Sequence, residues 1–163
     1  MDFQDQALVT DLYELTMLQA YTGLNMEQEA VFSLFVRKLP KNRNYLVACG
    51  LDDVLDLVQE LSFSTSALDY LQSLDLFQPD FLRWLQDFRF TGTIFAVEEG
   101  TPIFSQEPLL EVVAPIGQGQ LLETLLLNQI HLQTMIASKA CRVVKAARDR
   151  RVVDFGLRRM HGI

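Results

Sequence analysis

Phe155, Arg158 and Arg159 lie close together in the sequence and suit one kind of chemistry, the binding of a flat anionic ring. An aromatic face can stack on such a ring, while a guanidinium donates a forked pair of charge-assisted hydrogen bonds to a carboxylate or phosphate. They follow a β-branched pair at 152–153, and hydrophobic residues on both faces are typical of a buried parallel strand. Because barrel ligands bind at the carboxyl ends of strands, this segment is predicted to face a ligand.

Arg37 and Arg43 belong to a second group of basic residues. The alternating pattern of residues 29–39 predicts a strand, the composition of residues 40–44 predicts a turn, and residues 45–48 are predicted to form the returning strand. The sequence therefore predicts a β-hairpin with basic residues at its tip, from which Arg43 can reach a phosphate. A solvated turn is the alternative interpretation.

Tyr13 and Glu14 are predicted to lie in the first turn of a helix. Thr10 or Asp11 can cap this helix, apolar residues follow at roughly helical spacing, and Gly23 can end it. The first turn of a helix is a reasonable place to meet a ligand. The alternative is an ordinary amphipathic tyrosine.

The charge of the chain is distributed unevenly. The formal net charge is −7, yet residues 139–163 carry eight basic and two acidic side chains, so residues 1–138 are strongly acidic. This asymmetry favours anion binding at two places on an acidic surface and argues against broad nucleic-acid binding. The basic segment as a nucleic-acid contact remains an alternative that predicts steeply salt-dependent binding. A further alternative is that the bases late in a helix merely suit its dipole.

Composition excludes several classes of protein. The chain has 163 residues, 49% of them hydrophobic, but no apolar run long enough for a membrane span and no secretory signal, which together predict a cytoplasmic location. Cys49 and Cys141 are far apart and are expected to be reduced thiols rather than a disulfide. His131 has no second ligand at metal spacing, so no metal site is predicted.

The remaining pattern predicts the elements that position these residues. Helices are expected near 51–61, 64–74 and 79–88, short antiparallel strands between 90 and 115, and a long helix at 120–148 that Ala137 and Ser138 can divide. We therefore expect an α/β class, with an N-terminal α/β sandwich domain at 1–116, a long helical connector at 117–149, and at 150–163 the first strand and loop of an incomplete β/α barrel. A complete barrel takes about 250 residues.

Several strings together resemble one family, nicotinate phosphoribosyltransferase. The strings are TDLYELTM from Thr10, FVRKLPKNRNYLVACGL from Phe35, GTIFAVEEGTPIFSQEPLLEVVAPIG from Gly92, LLETLLLNQI from Leu121 and VVDFGLRRMHG from Val152. The resemblance covers the chain from about residue 8.

The resemblance implies an enzyme that joins nicotinate to 5-phosphoribosyl 1-diphosphate, giving nicotinate mononucleotide and diphosphate, coupled to ATP hydrolysis in NAD salvage. It implies Mg²⁺ as a further cofactor, and a homodimer whose active sites lie between subunits. The fold implied is an N-terminal α/β sandwich with an irregular barrel, the type II phosphoribosyltransferase arrangement. No nucleic-acid or membrane partner is expected.

The resemblance also implies roles for particular residues. Tyr13, Phe155 and Arg158 would line the nicotinate site, with Tyr13 reaching across the dimer interface. Arg43 or Arg37 would face the phosphoribosyl group. An arginine beside an aromatic ring would serve nicotinamide as well, so the choice of nicotinate rests on the resemblance alone.

No catalytic residue is expected within the chain. The histidine that is phosphorylated in the ATP-coupled cycle is expected beyond residue 163, and His161 is not expected to replace it. We therefore expect an N-terminal fragment that is inactive alone. The alternative is a non-catalytic binding or dimerisation module derived from the family.

Overall fold

The computed structural model of the chain describes residues 3–156, 158 and 160. Helices and strands follow one another in groups of two or three, which gives a mixed α/β fold. Their order is a 3₁₀ helix Phe3–Leu8, α1 Leu12–Gly23, β1 Glu29–Phe35, β2 Leu46–Val47, α2 Leu51–Glu60, α3 Thr65–Ser73, α4 Pro79–Gln86, β3 Thr93–Ala96, β4 Pro102–Ile103, β5 Pro108–Pro115, α5 Ile116–Leu121 and α6 Glu123–Ala147.

The main sheet has the strand order β1-β5-β3, and both pairs are antiparallel. In the β1-β5 register, Phe32 lies opposite Val112 and Leu34 opposite Leu110, so apolar pairs share the face that lies on the core. The predicted strands at 29–39 and within 90–115 are therefore present. The other face of β1 is exposed at Val31 and Phe35.

The predicted hairpin between β1 and residues 45–48 is wrong. A turn does form, because the Arg43 N–H donates to the Pro40 carbonyl at 2.9 Å, but β2 pairs with β4 in a separate two-stranded sheet. The longer β5 supplies a matching row of apolar residues and takes the place beside β1. A turn signal thus identified the loop correctly but not the partner of the strand that follows it.

The three helices predicted between residues 51 and 88 are confirmed, with boundaries shifted by one or two residues. Ser64 caps α3 by accepting the Ala67 N–H at 3.1 Å. The start of α2 is capped by a residue far away in the sequence: Glu99 Oε1 accepts the Leu51 N–H at 2.6 Å and the Asp52 N–H at 3.3 Å. A carboxylate beside the positive end of a helix stabilises it.

The long helical pattern is divided at Leu122, and not at Ala137 and Ser138 as predicted. Ser138 is fully buried, and its hydroxyl donates to the Thr134 carbonyl at 2.5 Å within a continuous α6. The first half of α6 belongs to the same core as the sheet, since Leu125, Leu126 and Ile130 are buried. The core therefore continues past the domain boundary predicted at residue 117.

The predicted strand at the start of residues 150–163 is wrong for the part that is described. Residues 151–156 have no regular secondary structure. Val152 is 45% exposed and Val153 is 53% exposed, so no neighbouring strand or helix covers them. A parallel strand is stable only when both faces are covered, and residues 3–150 provide no such partner.

None of the helices in the described part of the chain has the length and apolar content needed to cross a bilayer.

Candidate functional site

Glu14 lies at the centre of a polar cluster where α1 and α6 begin. Although it is an acid, its side chain is fully buried. One carboxylate oxygen accepts the Thr124 hydroxyl at 2.7 Å and the Thr124 N–H at 3.1 Å, and the other accepts the Thr10 hydroxyl. Burial raises the pKa of the Glu14 carboxyl, and the hydrogen bonds from Thr10 and Thr124 oppose this rise. The cluster thereby ties the two helix starts together.

Tyr13 lies beside this cluster and is 44% exposed. Its hydroxyl is 3.5 Å from Glu14 Oε1. The pKa of Tyr13 is raised to about 12, mainly by desolvation. Hydrogen bonding to Glu123 and the negative charges of Glu123, Glu14 and Asp11 add to this rise. The phenol is therefore protonated at neutral pH and is surrounded by acceptors.

Arg37 lines a groove between β1 and α6. Two cavities, of 300 and 340 Å³, share the lining residues Leu34, Phe35, Arg37 and Leu127 and so form one continuous depression. Glu123 lies at one end and Met135 at the other. Tyr13, through its interaction with Glu123, adjoins the first end. The structure thus places two of the predicted site residues near one groove.

Arg43 reaches the other end of the groove. It is half-buried, and its Nη1 lies 3.8 Å from the Met135 sulfur. Arg37 is exposed. Arg37 thus lies where the two cavities meet and Arg43 contacts Met135 at one end, and neither makes an ion pair with an acid in the described part of the chain.

Phe155 and Arg158 stand apart from the groove. Phe155 is 90% exposed, which leaves its ring packed against neither Tyr13 nor the Arg43 turn. Arg158 is also exposed. Just before them, Asp154 Oδ1 accepts the Gly156 N–H at 2.7 Å. The role of Phe155 and Arg158 in ring binding therefore stays a prediction, and Arg159 and His161 lie outside the described residues.

Polar residues of α6 support the site and were not predicted from the sequence. Thr124 holds Glu14, and Arg142 donates to the Tyr45 carbonyl at 2.7 Å while its guanidinium lies 4.5 Å from the centre of the Tyr45 ring. Arg142 therefore does more than suit the helix dipole, because it fixes the chain beside the Arg43 turn. No local pattern signals these contacts, since their partners are about 100 residues away.

Two buried hydroxyls of α6 hold β2, which follows the Arg43 turn. The Val47 N–H donates to Ser138 Oγ at 2.8 Å, and the Cys49 N–H donates to Thr134 Oγ1 at 3.2 Å. These hydroxyls satisfy backbone donors at a sheet edge that has no further strand in the described part of the chain. The position of Arg43 thus depends on α6.

Replacing Ser138 by alanine should lower the free energy of unfolding by about 1–3 kcal/mol, because the Val47 N–H then loses its acceptor in the interior. Urea unfolding followed by circular dichroism measures the loss. Ser73→Ala is the matched control: the Ser73 hydroxyl is exposed and bonds within its own helix, to the Tyr70 carbonyl. Equal losses in both variants would show that Ser138 does not hold β2.

The described residues contain no group of three or more His, Cys, Asp or Glu side chains able to hold a metal ion. The prediction that this chain itself builds no metal site stays a prediction.

Comparison with known proteins identifies the family of this chain. Residues 8–131 match the family model described as the nicotinate phosphoribosyltransferase N-terminal domain. The nicotinate phosphoribosyltransferase pncB2 of Mycobacterium tuberculosis is 54% identical over 156 residues, covering 96% of this chain and 34% of the relative. The Bacillus subtilis nicotinate phosphoribosyltransferase is 38% identical, covering 98% of this chain and 33% of the relative.

Solved structures give the same result for the fold. Human nicotinic acid phosphoribosyltransferase superposes with a TM-score of 0.84 at 31% identity, over 94% of this chain and 32% of the human chain. A nicotinate-nucleotide pyrophosphorylase from Pyrococcus furiosus, at 22% identity, shares the fold with a TM-score of 0.72. This chain spans about a third of the length of the curated relatives it matches. On the match of residues 8–131, the chain belongs to the nicotinate phosphoribosyltransferase family, whose N-terminal domain it contains.

Proposed function

We propose that this chain supplies the N-terminal domain of an enzyme that forms nicotinate mononucleotide and diphosphate from nicotinate and 5-phosphoribosyl 1-diphosphate, with ATP hydrolysis, in NAD salvage. The observation that carries the proposal is the match of residues 8–131 to the nicotinate phosphoribosyltransferase N-terminal domain. Because the chain spans about a third of its relatives, the proposal concerns what this third contributes to the reaction.

The proposed reaction joins the nicotinate ring nitrogen to C1 of the ribosyl group. The bond from C1 to the diphosphate oxygen breaks, and its electron pair leaves with the diphosphate. Positive charge develops on the ribosyl group, so the enzyme must hold a flat ring in line with C1 and stabilise the departing phosphates. No residue in this chain is proposed to transfer a proton or form a covalent bond.

Nicotinate is proposed to bind between aromatic faces. Tyr13 and Phe155 would stack on the ring, and Arg158 would bind its carboxylate. Support comes from exposure: Phe155 is 90% and Tyr13 is 44% exposed, so both rings are available to a ligand. Aromatic rings of this size are usually at least partly covered in a stable fold, which favours an interaction role for Phe155.

Arg37 and Arg43 are proposed to face the phosphoribosyl group. Arg37 lines the groove and Arg43 contacts Met135 at its end, and neither is neutralised by an acid in the described part of the chain. A guanidinium binds phosphate oxygens with two parallel hydrogen bonds, which positions the diphosphate as well as stabilising its charge.

The proposed cofactors are Mg²⁺ and ATP. The described residues do not fit a protein-built Mg²⁺ cage, because no three acidic or imidazole ligands converge there. Mg²⁺ commonly binds through substrate phosphates with few protein ligands, and it would then neutralise charge on the diphosphate. We assign no residue of this chain to ATP.

A homodimer in the cytoplasm is the proposed form of the complete enzyme. Support comes from the 90% exposure of Phe155, whose ring is available to a second chain. A second subunit that contributes Tyr13 is one such arrangement.

The test is complementation. A hybrid enzyme is made by joining this chain to the part of the Mycobacterium tuberculosis relative that lies beyond the aligned third, and formation of nicotinate mononucleotide is measured with and without ATP. We expect turnover by the hybrid and none by the 163-residue chain alone. Turnover by the chain alone would contradict the assignment of the phosphorylated histidine to the part of the relatives beyond the aligned third.

A non-catalytic binding or dimerisation module is the second candidate. It is favoured by the exposed apolar residues that continue from α6 into the terminal segment, Ile136, Val143, Val144, Val152 and Val153. An inactive hybrid whose purified parts nevertheless associate would support this candidate in place of the enzyme.

A further inference from the structure

The loop between β1 and β2, residues 36–45, carries concentrated positive charge. It contains four basic side chains and no acidic one: Arg37, Lys38, Lys41 and Arg43. The ion pair in the described part of the chain joins Arg83 to Asp80 and does not involve this loop. Because like charges this close repel one another, the charges of the loop do not hold its shape. Contacts with other elements must do so.

The start of the β1-β2 loop is held by Gln106, which lies in the turn between β4 and β5. Its side-chain amide donates to the Arg37 carbonyl at 2.7 Å, and its backbone N–H donates to the Val36 carbonyl at 2.8 Å. Gln106 has a φ of 67°, a left-handed conformation that a residue with a side chain keeps only where its surroundings hold it. The direction in which the chain leaves β1 is therefore fixed by this turn.

The end of the β1-β2 loop is held by Arg142 of α6. Its Nη2 donates to the Tyr45 carbonyl at 2.7 Å and its Nη1 to the Ser138 carbonyl at 2.6 Å. The same guanidinium lies 4.5 Å from the centre of the Tyr45 ring, a cation–π contact. Both terminal nitrogens of Arg142 thus donate within the protein. Arg142 cannot turn towards a ligand without breaking these bonds.

Arg43 is the basic residue of the loop that faces α6. Its N–H donates to the Pro40 carbonyl at 2.9 Å, and its half-buried side chain places Nη1 3.8 Å from the Met135 sulfur. A thioether is a weak acceptor, so this contact orients the guanidinium without neutralising it. The charge of Arg43 is therefore available to an anion, provided that the loop stays in place.

We propose that Gln106 and Arg142 are positioning residues that clamp the two ends of the β1-β2 loop and thereby present Arg43 to the phosphoribosyl donor. The phosphate contact of Arg43 rests on the proposed function, whereas the clamp does not. Ordering a mobile loop at each binding event costs conformational entropy, and a loop that is already held in the folded chain avoids this cost. The two clamps should therefore affect affinity for the donor and act through Arg43.

The first test measures amide hydrogen exchange by NMR in the 163-residue chain, without substrate. Arg142→Ala removes the clamp at the end of the loop. Gln106→Asn keeps a residue suited to positive φ, but its amide is one methylene too short to reach the Arg37 carbonyl. Each variant should raise the exchange rate of the Arg43 amide about tenfold or more, because the loop then opens more easily.

The Ala67 amide is the internal reference for this experiment. It donates to Ser64 Oγ at 3.1 Å, at the start of α3, and its exchange rate should not change. An Arg43 rate that is unchanged, or that rises only together with the Ala67 rate, would overturn the proposal.

Two matched control variants should leave the exchange rate of the Arg43 amide unchanged. Arg150→Ala removes the same charge as Arg142→Ala, but Arg150 donates locally, to the Ala147 carbonyl at 3.0 Å. Gln129→Asn shortens an amide that donates to the adjacent Asn128 side chain at 3.0 Å. Loop opening in either control as large as in the clamp variants would show that the two clamps are not specific.

The second test uses the hybrid enzyme and a double-variant cycle. Arg142→Ala should raise KM for 5-phosphoribosyl 1-diphosphate about tenfold and change KM for nicotinate by less than about threefold. The double variant Arg43→Ala with Arg142→Ala should be no worse than Arg43→Ala alone, because Arg142 acts through Arg43. Losses that multiply would mean that Arg142 acts on the ligand directly and would contradict the positioning role.

The two tests separate the clamp from the proposed function. An inactive hybrid, before any substitution, would count against the proposed function, while amide exchange in the 163-residue chain would still decide whether Gln106 and Arg142 hold the loop. In an active hybrid, Arg150→Ala should keep both KM values within about threefold of the unmodified enzyme. A KM for the donor that is unchanged in Arg142→Ala would overturn the proposal even where the loop opens.

Discussion

Replacing Gly92 by alanine is expected to destabilise the chain by about 3 kcal/mol, the largest single-residue effect on stability that we predict. A Cβ at this position would lie 2.5 Å from Ala114 Cβ and 2.6 Å from the Val113 carbonyl oxygen. Val113 and Ala114 belong to β5, the central strand, so relief requires moving backbone and not a flexible side chain. The substitution should therefore disturb the pairing of β3 with β5.

Gly23→Ala is the matched control for this experiment. A Cβ at Gly23 meets nothing within 4 Å, and the residue ends α1 without a left-handed backbone. Its stability should change by less than about 1 kcal/mol. Urea unfolding measures both variants, and hydrogen exchange of β3 amides locates the damage in Gly92→Ala. If the two variants lose equal stability, close packing at Gly92 is not the cause.

Arg158→Ala in the hybrid enzyme is expected to reduce kcat/KM for nicotinate about 100-fold, the largest effect on activity that we predict. The reason is the loss of a charge-assisted, two-pronged contact with the nicotinate carboxylate, whose removal leaves that charge without its partner. Steady-state kinetics with nicotinate as the varied substrate measures the loss. Arg158→Lys should recover only part of the activity, because an ammonium cannot form the forked pair.

Arg151→Ala is the control for Arg158→Ala. Both arginines are exposed, lie in the same basic segment and carry the same charge, so removing either changes the overall field equally. We expect Arg151→Ala to retain most of the activity. Similar losses in the two variants would mean that the segment acts through its total charge and that Arg158 does not contact the carboxylate.

Helices were the most predictable part of this fold, because their signals are local. The cap at Ser64, the proline that opens α4 and the glycine that ends α1 lie within a few residues of the backbone they control. Strand pairing was less predictable, since β2 and β4 are joined by contacts across more than 50 residues. The turn before β2 was predicted correctly, but the strand with which β2 pairs was not.

For the candidate site residues, residue type indicated the kind of ligand, but position in the sequence did not indicate which side chains lie together in the fold. The aromatic and basic character of Phe155, Arg158 and Arg159 predicts a flat anionic ligand from the sequence, whereas the roles of Tyr13, Arg37 and Arg43 rest on the resemblance. Their surroundings depended on packing: Arg37 lines the groove, Arg43 contacts Met135 at its end, and Phe155 is left exposed. The role of each residue in binding stays a prediction until the substitutions above are made.

The sequence by itself determined the family, through strings that extend along most of the chain, and the helices, through caps and periodicity. Only the tertiary structure decided that Glu14 is buried and bonded to Thr124, that β2 is held by Ser138, and that residues 151–156 are not a strand. The physical reason is the same in each case. Burial, hydrogen bonding and strand pairing depend on partners far away in the sequence. At Phe155, Arg158 and Arg159, residue type indicates a ligand. The described part of this chain does not provide the partner that would complete the site.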